Sequence, residues 1–193
     1  MQAITEKTRP PLSSGCEVLM ILRRFEVADG AAILSWIKNE REFRLWSADR
    51  FGDYPITPEE LADHYDKCAE TGAFFPFTAV DGNGEAVGHL ILRYTDDYKK
   101  EVRFGFVIVD SYRRGQGLGR EMLGLAKKYA AAELHAQRIS LGVFENNASA
   151  LNCYKAVGFA EKKRQDEYYS VLGERWKCLE MEIPICESHQ ADS

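Results

Sequence analysis

One short segment constrains this chain more than any other: Val107-Ile108-Val109-Asp110-Ser111-Tyr112-Arg113-Arg114-Gly115-Gln116-Gly117-Leu118-Gly119. An apolar strand ends, three glycines follow at alternate positions, and a helical pattern begins. Glycines at such a junction let the backbone come close to a ligand. The first N–H groups of a helix have no partner inside it, and the helix dipole favours negative charge there. A strand–glycine loop–helix is therefore a ready anion site. Arg113, Arg114 and Arg120 add positive charge around it. The competing reading is that the glycines only make a turn.

Charge is distributed in keeping with an anion site. Residues 99–138 carry nine Lys/Arg against four acids, a net of +5, whereas residues 40–66 carry three Arg against eight acids, a net of −5. Solvated helix faces would give the same counts. The loop fits neither of two common nucleotide motifs. There is no G-x-x-x-x-G-K-[ST] run, and Gly115-x-Gly117-x-Gly119 lacks the G-x-G-x-x-G spacing and does not follow the first strand.

Composition narrows the class. With 193 residues, 45% hydrophobic and 28% charged, the chain suits one globular domain. A formal charge of −5 argues against a general nucleic-acid coat or a basic membrane binder. No apolar run approaches the roughly 18 residues that span a bilayer. Five scattered cysteines (Cys16, Cys68, Cys153, Cys178, Cys186) form no CxxC pair, so a reducing cytoplasmic setting is expected, with no metal site. The four histidines (His64, His89, His135, His189) have no metal-ligand spacing and are expected to be exposed or packed.

The element order is mixed α/β. Residues 1–19 and 186–193 read as flexible tails around a domain over 20–185, with Met20 a candidate start and no signal-peptide pattern before it. Strands are expected over 20–25, 74–80, 86–92, 102–109, 139–143, 159–169 and 175–183. Asp81-Gly82-Asn83-Gly84 closes a hairpin, and Leu172-Gly173 joins the last two strands. Along 102–109, strict alternation places Phe104, Phe106 and Ile108 on one face. Helices are expected over about 30–39 with Asp29 as cap, 58–71 from Thr57-Pro58-Glu59-Glu60, 117–134, and 147–156 closed by Gly158. Residues 43–54 read as irregular and aromatic. There Trp36, Phe43, Trp46 and Tyr54 are either an acceptor-pocket wall or ordinary core.

The segment Arg114-Gly115-Gln116-Gly117-Leu118-Gly119 resembles the [RQ]-x-x-G-x-[GA] acetyl-CoA signature of the GCN5-related N-acetyltransferases, the GNAT superfamily. About 30 residues later, Asn147-x-x-Ala150-x-x-Cys153-Tyr154-x-x-x-Gly158-Phe159 is similar to that family's second signature. The stretch Phe43-Arg44-Leu45-Trp46-Ser47-Ala48-Asp49 with Pro55-Ile56-Thr57 resembles an uncharacterised bacterial subgroup. The resemblance implies a single splayed, mostly antiparallel sheet of about seven strands, with helices on both sides. It implies acetyl-CoA as co-substrate and an amine as acceptor. Backbone groups of Val107, Ile108 and Val109 would pair with the pantetheine arm. Amides around Arg114, Gly115, Gln116, Gly117, Leu118 and Gly119 would hold the pyrophosphate, and Asn147 would bond near the pantetheine. Tyr154 would protonate the leaving thiolate, which suits a phenol whose ordinary pKa of about 10 exceeds that of a thiol, about 8.5.

The general base is a departure from the family pattern. Where some members carry a glutamate on the fourth strand this chain has Arg103, and where others carry one on the fifth it has Gly142. Glu101, two residues before Arg103 on the same strand face, is the candidate; a water chain or an already neutral amine is the alternative. A covalent route through Cys153 is disfavoured, because adjacent helix residues point about 100° apart. Two functional readings follow: direct acetyl transfer from acetyl-CoA to a primary amine of a small molecule or a protein N-terminus, or a CoA-binding module without transfer. Neither implies nucleic acid or a membrane as partner, and a homodimer is compatible with both.

Overall fold

The computed structural model describes residues 20–163 and 167–185; the two stretches read as tails, with Cys16, Cys186 and His189, lie outside the described residues. In chain order the elements are β1 (Ile21–Arg24), α1 (Asp29–Ser35), α2 (Glu40–Ser47), α3 (Pro58–Ala69), β2 (Phe74–Val80), β3 (Ala86–Tyr94) and β4 (Glu101–Val109). A 3-10 turn at Ser111–Arg113 leads to α4 (Leu118–Ala132), β5 (Arg138–Phe144), α5 (Ala148–Val157), β6 (Ala160–Glu161), β7 (Glu167–Val171) and β8 (Glu174–Pro184). The described strands number eight rather than about seven, and they form one sheet, β1-β2-β3-β4-β5-β8-β6, with β7 also on β8. Every pair is antiparallel except β4–β5.

Local chemistry explains most element boundaries. Thr57 accepts from the Glu60 N–H while the Glu60 carboxylate accepts from the Thr57 N–H, and Pro58 opens α3, a complete capping box. Asp81 Oδ1 accepts from the N–H groups of Asn83 and Glu85, closing the β2–β3 hairpin. Leu172 and Gly173 both take positive φ (52° and 75°), the geometry of a two-residue primed turn between β7 and β8. The stretch read as one strand over 159–169 is instead β6 and β7, with residues 164–166 outside the described set.

Three expectations are corrected. Residues 40–47 form a helix: Asn39 caps it by accepting from the Glu42 N–H, Glu40 and Arg44 pair one turn apart at 3.1 Å, and Phe43 and Ser47 bury one face. Asp29 is not a cap but the first residue of α1, 6% exposed, where it accepts from both arms of Arg23 (2.6 and 2.7 Å), Thr78 Oγ1 and the Glu26 N–H. Burial raises its carboxyl, but the Arg23 fork and the two further donors outweigh this and hold it below the usual range. The alternation along β4 breaks at Phe106 (φ 47°), where the β3–β4 register shifts. Phe104 therefore packs with α4, while Phe106 and Ile108 pack with α1–α3 on the opposite face.

That bulge lies where the sheet splits. β4 and β5 pair only over residues 101–104 and 138–141. Beyond, the strands diverge, and the β5-facing backbone of residues 105–109 has no strand partner among the described residues. A core of Met122, Leu123, Ala126 and Ala130 against one sheet face, and of Ile33, Phe43, Leu61 and Tyr65 against the other, clamps both sides of the split.

Candidate functional site

The diverging strands open a cleft of about 980 Å³, the size of a ligand site. Its first wall is the glycine loop. Gly117 sits at φ 85° as the residue before α4, a left-handed conformation that strains any residue with a Cβ. A Cβ there would meet nothing within 4 Å, so the loop surrounds open space rather than packed side chains. The N–H groups of residues 115–119 have no backbone partner among the described residues and lead into the positive end of a 15-residue helix. Arg113 ties the loop to the hairpin turn through Asp81 at 2.8 Å, leaving exposed Arg114 and Arg120 without ion pairs among the described residues. The residues fit a pyrophosphate: free amides, a cationic rim and room for close approach.

The second wall is α5. Asn147 caps it by accepting from the Ala150 N–H at 3.3 Å, which leaves its own amide donors available. Tyr154 is 7% exposed, its ring edge-on to Phe159. Burial pushes its phenol well above the ordinary value, so it is protonated at neutral pH. Its hydroxyl has no hydrogen-bond partner among the described residues, yet it is not an enclosed unsatisfied atom; it reaches the cleft. Burial also raises the neighbouring Cys153 thiol, which makes it a poor nucleophile.

The third wall lies on the sheet face turned toward α1–α3. Arg103 donates with both arms to Glu180 of β8, 2.6 Å each. It crosses above Gly142, where a Cβ would stand 2.6 Å from Arg103 Nη2; a side chain at that position would displace the pair. Glu101 is elsewhere. It accepts from Ser140 Oγ (2.8 Å) and Arg138 Nε (3.1 Å) and does not line the large cleft. Burial raises its carboxyl, but Ser140, Thr95 and Arg138 together hold it below the usual range, which weakens it as a base. His64 of α3 does line the cleft, its ring 4.6 Å from that of Phe51 and its Nε2 3.7 Å from Cys68 Sγ. Burial, then the charges of Arg50 and Lys67, push its pKa down, so it is neutral at pH 7.

With this geometry in place, comparison with known proteins is decisive for the family. The profile of the Acetyltransferase (GNAT) family matches residues 39–159. The chain belongs to that family. A probable spermine N(1)-acetyltransferase of Bacillus subtilis subsp. natto is 31% identical over 81 residues, 39% of this chain and 53% of its own. N-alpha-acetyltransferase 30 of Saccharomyces cerevisiae is 31% identical over 83 residues, 43% of this chain and 45% of its own. The chain thus spans about half the length of these curated relatives. The crystal structure of spermidine N-acetyltransferase from Vibrio cholerae with CoA and spermine shares the fold, with a TM-score of 0.72 at 23% identity, covering 86% of this chain and 95% of that one.

Within this GNAT fold, Val107, Ile108, Val109, Arg114, Gly115, Gly117, Leu118, Gly119, Asn147 and Tyr154 all line the cleft. Gln116 is exposed and does not, and neither does Glu101. Of the four aromatic candidates only Trp46 lines it; Trp36 and Phe43 are buried core, and Tyr54 packs against the same cluster. Sequence reasoning missed His64, Arg93 and Glu180. His64 and Cys68, one turn apart on α3, were the only signal for the first. The other two depend on cross-strand pairing. Among the described residues no helix is long and apolar enough to cross a membrane, and no group of three or more His, Cys, Asp or Glu could hold a metal.

Proposed function

We propose that the domain over residues 20–185 moves the acetyl group of acetyl-CoA directly to a primary amine. The observation that carries this reading is the continuity of one cleft from the open glycine cradle, along the unpaired β4 edge, to the Tyr154 hydroxyl. Bound acetyl-CoA supplies the activated thioester. Amides of residues 115–119 receive its pyrophosphate, and backbone groups of Val107, Ile108 and Val109 pair with its pantetheine as an added strand. Asn147 donates to the same arm. As the amine nitrogen bonds the acetyl carbon, the carbon–sulfur bond breaks and Tyr154 gives its proton to the departing thiolate. The amine's own proton passes to His64, directly or through water, because the carboxylates of Glu101 and Glu180 are already occupied.

The relatives are named as spermine or spermidine N(1)-acetyltransferases and as an N-alpha-acetyltransferase, which supports a primary amine as acceptor. A cytoplasmic location and a homodimer belong to the same reading; a Vibrio cholerae relative has been solved as a dodecamer, and light scattering tests the dimer. The deciding experiment is thiol release from acetyl-CoA with a panel of primary amines. Amine-dependent release supports transfer. Tight CoA binding with no release from any amine would leave a CoA-binding module instead.

A further inference from the structure

Arg93 and Arg103 stand directly opposite each other on β3 and β4, so their side chains share one sheet face. Like charges in that relation are destabilising. Arg103 is neutralised by Glu180, but Arg93 is not: half-buried, it makes no hydrogen bond or ion pair among the described residues. All five of its N–H donors are therefore open. Burial first, then the guanidiniums of Arg103 and Arg50, push its pKa down, so its surroundings disfavour the charge it carries. All three arginines line the cleft.

Among the described residues no acid bonds to Arg93; Glu180 and the Cys68 thiol favour its charge only in part, and the burial and the two guanidiniums outweigh them. Glu101 is held by Arg138 and Ser140, and Glu180 by Arg103. Asp96 accepts from the N–H groups of Lys100 and Glu101. Asp49 and Glu167 are exposed to solvent, as is Arg50, so their fields are screened alike. Trp46, Phe106 and the neutral His64 also line the cleft, as does Glu42, whose carboxylate accepts from the Lys38 N–H. A polyamine entering here would bring further cations toward Arg93 and Arg50, which make no ion pair among the described residues.

We propose that Arg93, with Arg50 beside it, receives an anionic group of the acceptor, so that the substrate is a primary amine that also carries a carboxylate. The proposal rests on the acetyl-transfer reading above and names its substrate class. A guanidinium presents a planar fork that matches both oxygens of a carboxylate, which a point-charge ammonium cannot do as well. Seating that group between Arg93 and Arg50 would relieve the opposed charges on β3 and β4 and fix the amine's direction in the cleft.

The test uses the full chain loaded with CoA. Calorimetry measures binding of α-amino acids and of ω-amino acids of increasing length, each against its methyl ester, with spermidine alongside. Thiol release from acetyl-CoA is measured on the same panel. We expect at least one acid to bind about ten-fold or more tightly than its ester. Arg93→Gln should bring that ratio close to one, and Arg93→Lys, which keeps charge but loses the fork, should fall between. CoA affinity reports that each variant is folded; if Arg93→Gln fails that control, the Lys variant alone decides. An acid preference unchanged in the variants, or spermidine bound more tightly than every acid, overturns the proposal. An acid preference that depends on Arg93 but brings no thiol release keeps the arginine site and defeats the acetyl-transfer reading instead.

Discussion

Tyr154→Phe removes one oxygen atom and leaves the ring. The fold should lose little, because that hydroxyl has no hydrogen-bond partner among the described residues and the ring keeps its edge-on contact with Phe159. Deleting a hydroxyl without an internal partner should cost under about 1 kcal/mol of stability. Catalysis should respond very differently. A positioned proton donor contributes about 10²–10⁴ in rate, which at about 1.4 kcal/mol per decade is about 3–5 kcal/mol of barrier. Burial holds the phenol protonated across the neutral range, so the deficit should be the same from pH 6 to pH 9. Urea denaturation measures the first quantity, and single-turnover rapid quench with the best amine of the panel measures the second. CoA affinity should be unchanged within about three-fold, since the pyrophosphate and pantetheine contacts proposed above lie on other residues. A folded Tyr154→Phe protein with the wild-type single-turnover rate would refute the proton-donor role and assign the ring to packing alone.

Three further outcomes are expected. Gly117→Glu puts a carboxylate at the proposed pyrophosphate site, and a like charge about 4 Å away costs about 4 kcal/mol at an effective dielectric of 20; calorimetry should show CoA affinity down about 10³-fold in a folded protein, and an unchanged Kd would reject the loop assignment. His64→Gln should lower kcat about 10²-fold at pH 7 and much less at pH 9–10, where the amine arrives neutral; a deficit independent of pH would remove His64 from proton transfer. His89 is fully buried beside Tyr65, and burial holds its pKa down at about 3. Protonation therefore favours the unfolded chain: this contribution is complete above about pH 6.5 and is lost as pH falls toward 3, about 1.4 kcal/mol per unit. Urea titrations should show about 2 kcal/mol lost between pH 7 and pH 5, and a flat or rising profile over that interval would contradict the buried neutral imidazole.

What could be read from sequence was local. The α3 capping box, the Asp81 turn and the strand–glycine–helix junction each depend on residues within a few positions of one another, and all three stand where expected. Helix α2 was hidden because its fully buried face is only Phe43 and Ser47, while Leu45 and Trp46 face a satellite cluster and the cleft. The reversal at Phe106 has no sequence signature: a positive φ on an aromatic residue is imposed by the register against β3. Glu101 was placed on the correct strand face. Its occupation by Arg138 and Ser140, 37 and 39 residues away, follows only from the parallel β4–β5 pairing.

The same non-local logic joins three departures that look unrelated in the sequence. Arg103 stands where a family glutamate was expected, Gly142 stands where another was, and Glu180 carried no expectation at all. In space they are one unit. The Arg103 side chain needs the room that Gly142 leaves, since any Cβ there would lie 2.6 Å from its Nη2, and it needs the Glu180 carboxylate, which meets both of its arms 77 residues away. Replacing any one of the three leaves a half-buried charge without its partner or a side chain without space, so they constrain one another. A carboxylate is thus still present at this wall, but it comes from β8 and is committed to a guanidinium. That arrangement commits the Glu180 carboxylate and leaves Arg93, opposite Arg103, without a side-chain hydrogen bond or ion pair among the described residues. In the proposed reaction the amine's proton would therefore leave by a route other than Glu180, and Arg93 and Arg50 stand at this end of the cleft among carboxylates that are already bonded or exposed to solvent.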